Sequence, residues 1–244
     1  MKTIKILILL MIIPKICYGS SSRNFDGVND SVAYGVTNMD VTTGDVTFGG
    51  WFRATGDSGT DFAVGKKDTA GTAEAGYAIL KNPNNDYWYC EVADGTNQTS
   101  GNGHAGTEVA EDVWAQFTAT WNATTDVCTL YLNGVSAGTN SGTNIDSLTN
   151  AANDNFMTGT ADDVGNDYDG QVMNIFGIKG SVLSTVLILE IMWKPCSIEL
   201  NNCSLILGGS PERDVGTFGE SGTVGGTTVS AFGPPVGFGG FLPL

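Results

Sequence analysis

Residues Trp114 to Gly138, WAQFTATWNATTDVCTLYLNGVSAG, carry the pattern that dominates the chain. Phe117, Ala119 and Trp121 alternate with Gln116, Thr118 and Thr120. A period of two sends the two sets to opposite faces of a β-strand. Trp114 falls on the second face at the strand's entry, where a loop can cover it. A polar turn, Asn122 to Asp126, leads into a second strand, Cys128 to Leu132. Asn133-Gly134 then supplies the positive φ angles of a type I′ turn.

The alternation recurs along the chain. In VTFGGWFR, Val46, Phe48, Gly50 and Phe52 share one face; Thr47, Gly49, Trp51 and Arg53 share the other. In NFDGVNDSVAY, Phe25, Val28 and Val32 flank the tight-turn dipeptide Asp26-Gly27. Further strands are expected at Phe62 to Val64, Tyr77 to Leu80, Tyr87 to Val92, Asn155 to Thr158 and Gln171 to Ile178, with a loop from Gly138 to Asn155. Short strands separated by frequent turn signals predict an all-β sandwich or barrel. Ser184 to Trp193, STVLILEIMW, reads as a short helix on the sandwich edge, capped by Ser184 and stopped by Pro195; its β-branched residues pull toward a strand.

Both ends differ from this middle. MKTIKILILLMIIPKICYGS has Lys2 and Lys5, an apolar run from Ile6 to Ile13, then small residues. That is the pattern of a secretory signal cleaved after Gly19, with an apolar core too short to span a bilayer. Lys15-Ile16 is a poor approach to a lipidated Cys17. From Gly208 the chain turns Gly- and Pro-rich, either a partly ordered extension lying along the domain or a flexible tail. The expected organisation is a leader at 1–19, a sandwich domain at 20–200 and an extension at 201–244.

Composition agrees with strands and turns. Charged residues make up 15% of the chain and glycines number 34, a balance unlike that of helical proteins. Lys and Arg total 11 against 26 Asp and Glu. With no clustered cations, the balance argues against nucleic acid and an anionic membrane surface as partners. The leader holds three of those lysines and no acid, so the exported chain carries a formal charge near −18. Export also leaves four cysteines. Cys196 and Cys203 are close in sequence with Asn201-Asn202 between them, which favours a bridge. Cys90 and Cys128 lie in predicted strands, where they either pair or sit as small buried hydrophobes.

Four segments together, NFDGVNDSVAY, VTFGGWFR, WAQFTATWN…CTLYLNGVSAG and YDGQVMNIFGIKGSVLS, resemble the laminin-G-like domains of the concanavalin A-like lectin/glucanase (jelly-roll) superfamily, in that family's order. The resemblance runs from about Asn24 to Trp193. It implies two antiparallel sheets, one of them concave, a binding role more often than catalysis, carbohydrates or protein surfaces as ligands, and in many members a calcium ion at the sandwich rim. The C-terminal run looks like an extension found on such domains in bacteriophage and environmental sequences. After Gly170, where the family often carries an acidic pair, this chain has Met173 and Asn174.

TADDVGNDYDG places Asp162, Asp163, Asp167 and Asp169 in a Gly-containing loop, oxygen donors of the kind calcium takes, though without EF-hand spacing. A solvated acidic loop with turn-capping side chains is the plainer reading of the same residues. Sugar binding needs an exposed aromatic beside hydrogen-bonding groups. Trp51, Tyr87, Trp88 and Tyr89 are the candidates, with Asn97 and Asn102 in nearby loops; His104, the one histidine, reads as a surface residue. Glycoside hydrolysis needs two carboxylates flanking the scissile bond; jelly-roll glycanases tend to set them at alternate positions of one inner strand, and no such pair stands on a predicted strand here, nor does a nucleophile elbow or dinucleotide fingerprint occur. Glycosylation sequons stand at Asn29, Asn97, Asn122 and Asn202. The expected function is an exported, non-catalytic module that recognises a glycan or glycosylated surface through rim loops, with calcium as a possible aid. The alternative is a structural surface or virion protein using the sandwich as a scaffold; a glycanase ranks last.

Overall fold

The structure, a computed structural model, describes residues 22–34, 39–56, 60–68, 75–82, 86–99, 106–145, 148, 156–160, 167–193, 203–206, 223–225 and 228–230. These form two antiparallel sheets and one helix. The first sheet holds β1 (Ser22–Asp26), β3 (Val46–Ala54), β8 (Ala115–Asn122), β9 (Val127–Leu132), β10 (Val135–Ser141), β12 (Asp169–Lys179), β13 (Cys203–Ile206) and β15 (Thr228–Ser230). Its order is β10-β9-β8-β3-β12-β1-β15, with β13 beside β1 on the same edge of β12. The second sheet holds β2 (Ser31–Ala33), β4 (Asp61–Asp68), β5 (Ala75–Asn82), β6 (Tyr87–Asp94), β7 (Gly106–Glu108), β11 (Met157–Thr158) and β14 (Thr223–Gly225), ordered β14-β2-β11-β4-β5-β6-β7.

The period-two pattern decides which side chains fill the space between the sheets. Val46, Phe48 and Phe52 of β3 face Phe117, Ala119 and Trp121 of β8 within one core, and all six are buried. Trp88 of the second sheet stacks on Phe117 of the first, with ring centroids 4.2 Å apart. Phe52 and Tyr168 close around the same indole. Cys90 and Cys128 join β6 to β9 as a disulfide, so the alternative left open by the sequence resolves to a bridge between the two sheets. A cross-link spanning 38 residues removes chain entropy worth about 4 kcal/mol from the unfolded state. Of the other expected pair, Cys196 lies outside the described residues and Cys203 is described only through the backbone of β13.

The turns obey their residues. Asn133 and Gly134 both have positive φ, 49° and 78°, as a type I′ turn requires. The expected helix is α1 (Thr185–Trp193). Ile188 N–H donates to Ser184 O at 3.0 Å. Ile188 and Ile191 pack with Leu183 on Phe176 and Ile178, on the outer face of the first sheet. One expectation fails in detail. Residues 138–141, read as the start of a loop, belong to β10, which pairs with β9 through a register shift between Ser136 and Gly138. The Gly- and Pro-rich extension contributes β13 and β15 to the first sheet and β14 to the second.

Candidate functional site

The outward side of β3 presents Thr47, Gly49, Trp51 and Arg53 in succession. Thr47 is buried where its hydroxyl donates to Ser181 O at 2.8 Å and accepts from Leu183 N–H, fixing the approach to α1. Beyond this covered end, Trp51 and Arg53 remain partly exposed. Trp51 sits in register with Gln116 of β8 on one side and Met173 of β12 on the other. Arg53 is opposite Gln171.

Arg53 is held as a fork. Its Nη2 donates to Asp112 Oδ1 at 2.7 Å, Nε to Asp112 O at 3.2 Å and Nη1 to Gln171 Oε1 at 3.1 Å. Asp112 has φ 63° and its side chain is 68% exposed, so the carboxylate stands at the surface. Behind Trp51, Gln116 is buried; its Nε2 donates to Thr118 Oγ1 at 2.6 Å, while its Oε1 has no hydrogen-bond partner. The result is a ledge of one indole, a guanidinium and a carboxylate, underlain by two buried carboxamides. An aromatic face with donors and acceptors beside it suits a ring bearing hydroxyls.

The ledge runs into an acidic rim. Thr55, next outward-facing after Arg53, donates its hydroxyl to Asp169 Oδ1 at 2.8 Å and its N–H to Asp169 O at 3.0 Å. Asp169 lies opposite Asp26 in the β1–β12 ladder. Asp26 N–H donates to Asp30 Oδ2 at 2.9 Å. Burial raises the Asp30 pKa above the usual carboxylate value; the bond from Asp26 N–H opposes this, and the charges of Asp26 and Asp167 add to it. Asp162 and Asp163 lie outside the described residues. Among the described residues no three His, Cys, Asp or Glu side chains come together to hold a metal ion; of the four aspartates, Asp167 and Asp169 are the two described.

The remaining aromatic candidates separate. Trp88 is 2% exposed. It faces the core because it shares strand parity with Cys90 and Val92, and this corrects its reading as a surface platform. Tyr87 and Tyr89 lie on the outer face of the second sheet, on the side of the sandwich opposite Trp51. Tyr89 is buried in a cluster with Phe62, Ala78, Leu80 and Met157, so it too is not an exposed platform. Tyr87 packs against that cluster and its hydroxyl accepts from Gly106 N–H at 2.9 Å. Asn97 is exposed in a turn, where its Nδ2 donates to Asn144 O at 3.0 Å. Asn102 and His104 lie outside the described residues. Thus Trp51 is the sequence candidate that the fold sets among polar groups. Arg53 could be found from its i+2 spacing to Trp51. Gln116, Gln171 and Asp112 come from other strands and turns and carried no local signal.

Three lysines among the described residues are engaged inside the molecule. Lys81 is fully buried, with Nζ 3.0 Å from Asp86 Oδ1, 3.9 Å from Asp61 Oδ2 and 3.4 Å from Gly56 O. Lys67 pairs with Glu91 at 2.6 Å and Lys66 with Asp40 at 2.8 Å, and both lysines are buried.

Comparison with known proteins agrees with the architecture. Residues 26–175 match the family model Laminin_G_3, described as the concanavalin A-like lectin/glucanases superfamily. A search of curated proteins found no match. The backbone is similar to that of a protein from Bacteroides ovatus ATCC 8483 provisionally assigned to carbohydrate binding, with TM-score 0.64 and 14% identity, covering 87% of this chain and 60% of that one. It is also similar to the heptameric SAP-like pentraxin of Limulus polyphemus, with TM-score 0.55 and 11% identity over 86% of this chain and 94% of that one. The leech intramolecular trans-sialidase matches with TM-score 0.50 and 13% identity over 70% of this chain and 28% of that one. At these identities the likeness concerns the fold. Two antiparallel jelly-roll sheets and a family match over most of the sandwich lead to one assignment: the chain belongs to the concanavalin A-like lectin/glucanase superfamily.

Proposed function

We propose that this protein is an exported, non-catalytic glycan-binding module whose contact surface is the Trp51–Arg53 ledge. The observation that carries the reading is the partly exposed indole of Trp51 beside the Arg53–Asp112–Gln171 network, on the outer face of a lectin-type sandwich. A sugar ring stacked on the indole would exchange hydroxyl hydrogen bonds with the Asp112 carboxylate and the Arg53 fork. Export is supported by the signal-like pattern of residues 1–19, two lysines ahead of a short apolar run. The non-catalytic part of the proposal rests on the sequence, which sets no carboxylate pair at alternate positions of a predicted strand. The calcium part of the proposal rests on the four-aspartate pattern at 162–169.

A glycan array probed with the full chain and its Trp51→Ala variant, with and without EGTA, tests this reading. Saccharide binding that falls about tenfold or more in Trp51→Ala is the expected result. Absence of any saccharide binding overturns it. Binding unchanged by EGTA removes calcium from the proposal and leaves the ledge.

A further inference from the structure

Resting on the glycan-binding reading, we infer that the Trp51–Arg53 ledge selects neutral, hydroxyl-rich saccharides and rejects anionic ones. A carboxylated or sulfated sugar needs a cation whose charge is not already neutralised. Arg53 is the cation of the ledge, and Asp112 holds it through two of its three bonds, one of them a 2.7 Å ion pair. Lys66, Lys67 and Lys81 are buried against Asp40, Glu91, Asp61 and Asp86. Arg23 is buried and already has an interaction partner. Lys179, the remaining described cation, stands at the opposite end of β12, paired in the ladder with Val46 rather than with the Arg53 end.

Against that neutralised guanidinium, the one cation that the described residues set on the ledge, stand the acids of the rim. Asp169 is joined to Thr55, two positions along β3 from Arg53, and Asp26 is its ladder partner. Asp30 is bonded to the Asp26 backbone, and Asp167 lies close enough to act on its charge. The chain as a whole has a formal charge of −15. Its field repels an anion before contact, and Asp112 opposes one at contact. A neutral ring meets neither cost. It can stack on Trp51 and give hydroxyl protons to Asp112, the acceptor best placed at the surface. The acidity that hinders an anionic sugar therefore aids one rich in hydroxyl donors.

The test measures affinity for matched pairs of oligosaccharides, each a neutral glycan and its sialylated, uronate or sulfated counterpart, at low and at physiological ionic strength. The neutral member should bind at least about tenfold more tightly at low salt. The gap should narrow as the screening length falls to about 8 Å. Asp112→Asn, which leaves Arg53 without its carboxylate partner, should narrow the low-salt gap several-fold while circular dichroism stays unchanged. An anionic member that binds as tightly as its neutral counterpart, or more so, overturns the selectivity and leaves glycan binding standing. A gap unmoved in Asp112→Asn overturns the role given to the Arg53–Asp112 pair. Failure of both members of every pair to bind overturns the glycan reading, and the selectivity with it.

Discussion

Two tryptophans show how one residue type takes opposite roles. Trp88 is enclosed by Phe52, Phe117 and Tyr168, so Trp88→Ala should cost about 3–5 kcal/mol in chemical denaturation. Trp51 is partly exposed on the outer face; Trp51→Ala should cost less than half as much and show its effect in saccharide affinity. The sequence YWYC has large side chains on both faces, and its period does not say which face meets the other sheet. The parity of Trp88 with Cys90 and Val92 does say it, once Cys90 is known to reach Cys128. Asp30 supplies a second residue-scale prediction. Burial, with Asp26 and Asp167, raises its folded pKa above the unfolded value. The folded state therefore binds that proton more tightly, and this group's contribution to stability falls as pH rises through the folded pKa. Asp30→Asn, which keeps an oxygen for Asp26 N–H, should raise the melting temperature at pH 7. The advantage should vanish as the pH drops below the unfolded aspartate range; an equal advantage at all pH values would refute the charge argument.

At the scale of elements, legibility followed the apolar content of each strand. β3 and β8 were readable because every second residue is large and apolar or small and buried, and the intersheet core needs that period. β10, with sequence VSAGTNS, was not. It is largely exposed, its one buried residue is Asn140, and its pairing comes from β9 and the Asn133-Gly134 turn rather than from a hydrophobic face. The ledge was half legible for the same reason: Trp51 and Arg53 share a strand, whereas Gln116 and Gln171 reach them only through register. The buried lysines gave no sequence signal, since their partners are fixed by tertiary contact. The turn itself couples two elements. A Cβ on Gly134 would lie 2.2 Å from Leu189 Cδ2 of α1, at a φ of 78°. Gly134→Ala should therefore cost about 1–2 kcal/mol from backbone strain, plus displacement of Leu189. Hydrogen exchange should show faster opening in both β9–β10 and α1; a change confined to the hairpin would argue against that contact.

For the whole molecule, the question is what keeps the two layers together. Their contact is the aromatic core, and the Cys90–Cys128 bridge ties it covalently. The Cys90→Ala/Cys128→Ala double variant should lose on the order of 4 kcal/mol in denaturant midpoint analysis, and a reductant should destabilise the parent chain more than that variant by the same amount. The far C-terminal strands add a second kind of tie. β14 extends one layer beyond β2, and within five residues β15 extends the other beyond β1. Each is the outermost strand of its layer at that border. A nick or stop codon ahead of Thr223 would thus strip both margins at once, baring two rows of backbone amides and carbonyls to neighbouring molecules. Strands β14 and β15 act as a hem, and forms lacking them should clump in proportion to concentration even where their cores remain folded.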